Sequence, residues 1–279
     1  MNLNFPLSRL FKQPPSYIFG RFLAVRRMYS LFRKFIPSLH FDFGGIQKET
    51  IFKKLDVINA VQELRKTAVA FGFDLPDDIV SEIQEFASSC ELKACNVPYK
   101  FCYKDVDKGA LSDGTVVAIG YSVYPQECRA VQKVLYDPSL NMAAKDYLGY
   151  QPNNYEVRLY YSFAANLTDD ERRKRNQTID YHFDVHAFNF CYAHFYITDT
   201  DKYSGAHELV KSSHKDKPIK YLLSSARKSD TEISQYYDES KVVLIEGKAG
   251  TGFLEDTSCY HKALAPTSQD RLLLQIRFF

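Results

Sequence analysis

The residues with the clearest chemical potential stand together in Tyr181-His182-Phe183-Asp184-Val185-His186, within YHFDVHAFNF. The run is rich in aromatic and β-branched residues between polar flanks, so it reads as a strand. Strand side chains alternate faces, which puts His182, Asp184 and His186 on one side and Phe183 and Val185 on the other. An imidazole and a carboxylate at this spacing can grip one metal ion. They fill two corners of the two-His, one-carboxylate face used by non-haem Fe(II) oxygenases, leaving three positions open. The third ligand must come from elsewhere, and the best candidate is His261, in CYHKALAPTSQDRLLLQIRF. With no thiolate in the set, iron fits better than a structural zinc. Ten residues further stands Arg271, whose planar fork matches a carboxylate in a way lysine could not copy. Taken singly, each histidine reads as a packed side chain and Arg271 as a surface partner of Asp270. Only the set points to chemistry.

The elements that must hold this set begin at Tyr155. From there the chain reads as short strands (YEVRLYYSF, IDYHFDVHAFNF, CYAHFYITD, HELVKSS, VVLIEG, TGFLED, RLLLQIRFF) punctuated by Gly, Asp and Ser, which argues for a sandwich or barrel. With the metal pattern, the expected fold is mainly β with α elaborations: a double-stranded β-helix, the cupin-like jelly roll, backed by N-terminal helices. On the last strand, period two sets Arg271, Leu273, Gln275 and Arg277 against Leu272, Leu274, Ile276 and Phe278, as a barrel with a wet interior requires. Similar parity could turn His194 and Tyr196 inward, and Arg158 and Tyr160 from the strand before. Upstream, 51–70, Asp77 to Ser88, Gln126 to Leu135 and Ser139 to Leu148 read as helices, and KFCYKDV and TVVAIGYSVYP as strands. DERRKRNQT, at 170–178, reads as a charged loop at the pocket mouth. The partition expected is a basic arm over 1–41, a helical and mixed layer over 42–150 and a catalytic core over 151–279, with 42–279 forming one domain.

Size and composition narrow the classes. A chain of 279 residues that is 45% hydrophobic can bury a sizeable core, and 25% charged residues is a globular value, so wholesale disorder is excluded. The six cysteines form no CxxC pair and no zinc-finger spacing, which suits a reducing compartment, although two disulfides remain open. No apolar run is long enough to span a bilayer. Residues 1–41 carry seven basic residues and no acidic one, leaving 29 of the 36 basic residues against all 34 acidic ones, a body of net charge −5. Ser16 to Ile36 reads as a single amphipathic helix with the stripe Ile18, Phe22, Val25, Tyr29, Phe32 and Ile36, and with Arg26, Arg27, Arg33 and Lys34 largely opposite. That pattern fits a helix lying in an anionic membrane interface through residues 1–36. It equally fits a helix packed on its own domain or on a second subunit, and less well a transit peptide, since serines are few; arginines in every apolar run disfavour a secretory signal. Nucleic acid is not an expected partner, because the body is acidic and the arm has no reader motif. The protein is expected in the cytoplasm, peripheral on the inner face of a membrane if the arm binds lipid; oligomeric state is left open.

Several separated pieces together resemble the phytanoyl-CoA dioxygenase family of Fe(II)/2-oxoglutarate oxygenases. They are the pair His182 and Asp184, the following strand HFYITDTD, and the segment Gly205 to Lys215, which resembles the family's glycine-to-GSH run with Ser212 in place of glycine. The distal His261 and Arg271 complete it, so the resemblance covers roughly 150–279. It implies Fe(II) held by His182, Asp184 and His261, with 2-oxoglutarate fixed at its far carboxylate by Arg271. O2 is then consumed, 2-oxoglutarate is converted to succinate and CO2, and an unactivated C–H is hydroxylated. Halogenating relatives lack the carboxylate ligand, so Asp184 favours hydroxylation. His194 and Tyr196 are further candidates for co-substrate contact, and His186, Arg158 and Tyr160 for substrate. His214 more simply fixes a turn. Ala263 replaces the family's small hydroxyl residue two positions after the distal histidine. The substrate class implied is a small molecule, lipid or glycolipid. The alternatives are a cupin-type isomerase or epimerase that would not consume 2-oxoglutarate, and a non-catalytic metal-binding β-sandwich.

Overall fold

A computed structural model describes residues 15–36 and 49–279. Its strands are β1 Val69–Phe71, β2 Leu92–Lys93, β3 Ile119–Ser122, β4 Tyr155–Ser162, β5 Cys191–Tyr196, β6 His207–Val210, β7 Val242–Ile245, β8 Gly252–Glu255, β9 His261–Ala263 and β10 Arg271–Phe278. Seven of them form an antiparallel sheet in the order β1-β8-β5-β10-β4-β3-β2, and three form a second sheet, β7-β6-β9. This is a cupin-like jelly-roll core with helices added, as the strand pattern predicts.

The terminal strand is the spine of the larger sheet. It pairs with β4 from Arg271↔Ser162 to Phe278↔Tyr155 and with β5 from Leu273↔Tyr196 to Phe278↔Cys191. Because side chains alternate, Leu272, Leu274, Ile276 and Phe278 enter one apolar core with the helices Val57–Thr67, Asp77–Ser89, Arg129–Leu135 and Pro138–Leu148. Arg271, Leu273, Gln275 and Arg277 instead face a cavity between the two sheets. A one-residue slip would exchange the two faces, so burial of four apolar side chains, each about 1.5–3 kcal/mol, fixes the register that aims Arg271 inward.

Local chemistry sets the helix limits. Asp137 caps Pro138–Leu148, accepting from the amides of Ser139 and Leu140 at 2.9 and 3.0 Å, and Gly149 ends the helix at φ 80°. Elsewhere three expectations are corrected. KFCYKDV is not a strand: the Asp105 carboxylate accepts from the Cys102 amide at 2.7 Å and folds Tyr103–Asp105 into a 3-10 turn. Gln126 to Leu135 breaks into a 3-10 turn, Pro125–Glu127, and the helix Arg129–Leu135. The charged run after Thr168 forms the helix Asp169–Lys174, closed by reciprocal capping between Thr168 and Glu171. All six cysteines are free.

The N-terminal segment departs furthest from its reading. Ser16 to Ile36 is not one helix but two, Pro15–Phe19 and Leu23–Arg33. The break falls at Gly20, where a Cβ would stand 2.5 Å from the Ser16 carbonyl oxygen and 2.6 Å from that of Ala187. Arg26, expected on the solvent side, is only 3% exposed. It reaches Asp256 at 2.9 Å and donates to Asn189 Oδ1 at 3.0 and 2.8 Å and to the Phe190 carbonyl at 3.1 Å. Arg21 is also buried and donates to the carbonyls of Leu222 and Ser224. Periodicity missed this because it sorts arginine as polar without knowing that a buried carboxylate awaits it. Residues 1–14 and 37–48 of the expected arm lie outside the described residues. No helix among the described residues is long and apolar enough to cross a membrane.

Removing one partner of a buried ion pair strands the other, so Arg26→Leu should lower unfolding free energy by about 3–5 kcal/mol in urea titration, and adding Asp256→Asn should recover part of that loss. Burial alone would raise the Asp256 carboxyl, but Arg26, His214 and Tyr147 hold it well below the ordinary carboxylate range. This contribution is therefore complete above the unfolded value of about 3.9 and fades as pH falls from there toward the lower folded value. Wild type should lose stability more steeply in that acidic window than the double variant.

Candidate metal centre

The block carrying His182 and Asp184 is not a regular strand. Tyr181 and His182 form isolated bridges, to Lys228 and His261, and 183–186 run on without a ladder. The segment is nevertheless held straight against the 257–261 stretch. His182 donates to the His261 carbonyl at 2.9 Å, His261 returns the bond at 2.8 Å, and the Asp184 amide donates to the Thr257 carbonyl at 2.8 Å. Alternate residues therefore still point one way, and His182, Asp184 and His261 converge on the cavity.

Their donor atoms face one another. Asp184 Oδ1 lies 3.9 Å from His182 Nε2, and Oδ2 lies 3.9 Å from His261 Nε2. All three residues offer a donor within 4.8 Å of the others. Two donors each about 2.0–2.2 Å from a single ion can be at most about 4.4 Å apart, so 3.9 Å fits a shared metal. The opposite ring nitrogens are occupied: His182 Nδ1 lies 3.0 Å from the Asp180 carbonyl and His261 Nδ1 3.1 Å from that of Cys259. A carbonyl can only accept, so both rings carry their proton at Nδ1 and present the Nε2 lone pair to the gap. Burial, then His182, pushes the His261 imidazole down to about 4, against the pull of Glu255 and Asp184, so it is neutral at pH 7. Burial would raise the Asp184 carboxyl, but His261, His182 and Arg277 outweigh that and keep it ionised. Two imidazole nitrogens and a carboxylate, without sulfur, are a donor set suited to Fe(II).

The cavity measures ≈ 750 Å³ and draws its walls from both sheets. At its Arg271 end, the guanidinium is buried, donates to the Gly205 carbonyl and to Ser162 Oγ (3.1 Å), and leaves Nε without a partner. His194 borders the same space with its Nδ1 unpartnered, its Nε2 lying against Glu255. Buried polar atoms left this way favour a polar guest.

Other expected residues divide. Arg158 and Tyr160 line the cavity, as does Ala263. His186 does not join the centre: it lies 3.9 Å from Glu156 and packs edge-on to Phe279 at 4.4 Å. Tyr196 is corrected as a co-substrate contact, for its buried hydroxyl donates to the Ile245 carbonyl at 2.8 Å and accepts from the His207 amide at 2.9 Å. His214 sits in a turn, its Nε2 3.2 Å from the Arg65 carbonyl, and the preceding Ser212 has φ 65°, which is why glycine is preferred at that place. The loop expected at 170–178 becomes a helix followed by Asn176, Gln177 and Thr178 in the cavity wall.

Sequence reading missed Glu255 and His207. Glu255 is fully buried beneath the centre, 2.9 Å from His207 Nε2, 3.3 Å from His194 Nε2 and 3.7 Å from His261 Nδ1. Burial would raise its carboxyl, but His207 and His261 and the contacts with His194 and His207 drive it well below the usual range. The one available signal was an acid ending the apolar strand GFLE at cavity-facing parity. Cys259, 3.3 Å from Glu255, also neighbours His261, but burial and the two acids push its thiol well above its usual value, so it offers no thiolate.

The family description Phytanoyl-CoA dioxygenase (PhyH) matches residues 121–272, more than half of the chain. The chain belongs to that family. No curated protein sequence matches it. Among solved structures it is similar to SnoN, a non-heme alpha ketoglutarate dependent epimerase from nogalamycin biosynthesis, at 13% identity over 80% of this chain and 82% of that one, TM-score 0.54. SnoN has also been solved with Fe3+, alpha ketoglutarate and nogalamycin RO. EvdO2 from Micromonospora carbonacea var. aurantiaca, complexed with 2-oxoglutarate, is 12% identical over 80% and 90%, TM-score 0.52. SnoK, a non-heme alpha ketoglutarate dependent carbocyclase, is 14% identical over 83% and 87%, TM-score 0.50. At such identity these likenesses establish the jelly-roll fold.

If the three donors share one ion, His182→Ala and Asp184→Ala should each weaken Fe(II) binding under anaerobic equilibrium dialysis by more than the roughly 10–100-fold that losing an outer partner costs. His186→Ala should bind as wild type does. Glu255→Gln should fall within that 10–100-fold range, since it touches the ligand histidine and not the ion.

Proposed function

We propose that this protein is an Fe(II)- and 2-oxoglutarate-dependent oxygenase that hydroxylates an unactivated C–H of a small molecule bearing an anionic group. One observation carries the reading: His182, Asp184 and His261 point their free donors into the same cavity that Arg271 enters with an unpartnered Nε. Here His182, Asp184 and His261 would hold the iron and Arg271 the far carboxylate of the co-substrate. Bound there, iron with 2-oxoglutarate and O2 supplies the oxidising power for C–H cleavage. The chain's own part is orientation and exclusion. The paired carbonyls of Asp180 and Cys259 keep both imidazoles in the ligating tautomer. The planar fork of Arg271, braced by Ser162 and Gly205, selects a carboxylate and sets its angle.

The substrate class follows from charge. Once Asp184 and Arg271 are committed, the cavity wall retains Lys93, Arg158, Arg227 and Arg277 against Glu156 alone. Glu156 is shared by two of them, 2.7 Å from Arg158 and 3.2 Å from Arg277. An excess of positive charge in a cavity favours a phosphate- or carboxylate-bearing guest. A lipid or glycolipid with such a group fits this class.

A second outcome, epimerisation, is favoured by the likeness to SnoN. That epimerase is itself alpha ketoglutarate dependent, so this alternative keeps the co-substrate that a cupin-type isomerase would lack. The product separates the two, being heavier by one oxygen atom after hydroxylation and unchanged in mass after epimerisation.

Anaerobic addition of Fe(II) and 2-oxoglutarate should give a weak visible charge-transfer band in wild type and none in His182→Ala; its absence in wild type would refute the reading. Arg271→Ala should raise KM for 2-oxoglutarate roughly tenfold to a hundredfold, the value of a charged hydrogen bond. In a succinate-release screen, Arg158→Gln should raise KM for an anionic substrate while leaving that for 2-oxoglutarate unchanged.

A further inference from the structure

The helix Leu23–Arg33 exposes more apolar surface than a helix that serves only its own core. One of its three arginines, Arg26, is buried, and while Tyr29 packs on the core, four large apolar residues look outward: Met28 is 65% exposed, Leu31 57%, Phe32 62% and, just beyond the helix, Phe35 85%. Met28, Leu31 and Phe35 are spaced by three and four, so they form one crest, with Phe32 beside it. Large exposed apolar groups gathered in this way mark an interaction surface.

Cations frame the crest. A hollow of ≈ 400 Å³ on one side is lined by Arg27, Leu31, Lys34, Arg65 and Lys215. A second, of ≈ 390 Å³, shares Lys34 and Arg65 and adds Lys145, Asp146 and the 71% exposed Ile58. The surface thus gathers Arg27, Lys34, Arg65, Lys145 and Lys215 against one acid, Asp146. Among the described residues none of these five is ion-paired with a carboxylate, although twelve other lysines and arginines, from Arg26 to Arg277, find such partners. The sequence leading into this face, residues 1–41, carries no acid at all.

We infer that this face docks on the surface of a bilayer containing anionic phospholipid. The aromatic and aliphatic crest would enter the boundary between headgroups and acyl chains, and the five unpaired cations would meet lipid phosphates in the flanking hollows. Apolar anchors ringed by lysine and arginine are the two contributions an interfacial helix combines. A protein partner would have to be acidic and apolar at once over the same area; a bilayer supplies both by its layering. The helix is not the free arm that the sequence suggested, because Arg26 pins it to the body through Asp256. The whole enzyme would therefore be oriented on the membrane by a rigid face.

The test is sedimentation of the full chain with vesicles of phosphatidylcholine alone and of phosphatidylcholine mixed with phosphatidylglycerol. The protein should pellet with the mixed vesicles and stay in solution with the neutral ones, and added salt should release it. Phe35→Ser with Leu31→Ser, and separately Lys34→Glu with Lys215→Glu, should each weaken binding at least about tenfold while urea unfolding stays as in wild type, since all four side chains are exposed. Equal pelleting with both vesicle types, or variants that bind as wild type does, would overturn the inference. So would a stable dimer in the absence of lipid that Phe35→Ser dissociates, because a second copy would then be the occupant.

Discussion

The reciprocal amide bonds between His182 and His261 are the constraint on which the site rests. They tie a segment with no ladder of its own to the edge of the smaller sheet, seventy-nine residues later in the chain. Two imidazoles fixed by their own backbones approach to a ring separation of 4.3 Å. The Asp184 amide, bonded to Thr257, then sets the carboxylate across from both. No side chain in this set depends on a flexible stem for its position, which is the preorganisation a metal centre needs.

Beneath that clamp lies a layer of buried charge. Glu255 and Asp256 are adjacent, both fully buried, and alternate in direction as strand residues do. Glu255 turns toward His194, His207 and His261, and Asp256 toward Arg26, Tyr147 and Ser258. One acid supports the centre and the other anchors the N-terminal helix. The same short stretch of chain thus couples the position of His261 to the docking of Leu23–Arg33. Such buried acids are tolerable only with partners present on every side, so the two neighbourhoods fold as one unit of dependence.

The cavity inherits its polarity from β10. Four leucine, isoleucine and phenylalanine side chains hold one face of the strand in the helical core, and the opposite face is thereby presented to the space between the sheets. Arg271 and Arg277, six residues apart, are about 20 Å from each other along the strand. The strand therefore sets two guanidiniums in the cavity wall too far apart to compete for one anion.

Much of this was legible in the chain itself. Alternation alone assigned both faces of β10, and residue types and order singled out His182, Asp184, His261 and Arg271, because the donors a metal requires are few and their spacing is restrictive. Capping signals located the helices Asp77–Ser89 and Pro138–Leu148 to within a residue or so. The rest required the tertiary structure. Whether YHFDVH would be a strand depended on which backbone lay beside it, and that was the 257–261 stretch. Arg26 and Glu255 look polar in any periodic reading; only distant partners make their burial favourable, and His186 shares parity with His182, and Tyr196 with His194, yet His186 turns to Glu156 and the Tyr196 hydroxyl is taken by Ile245 and His207. Sequence thus determined the kinds of groups and the faces they occupy, since those follow from local geometry, whereas long-range contacts decided which of them meet.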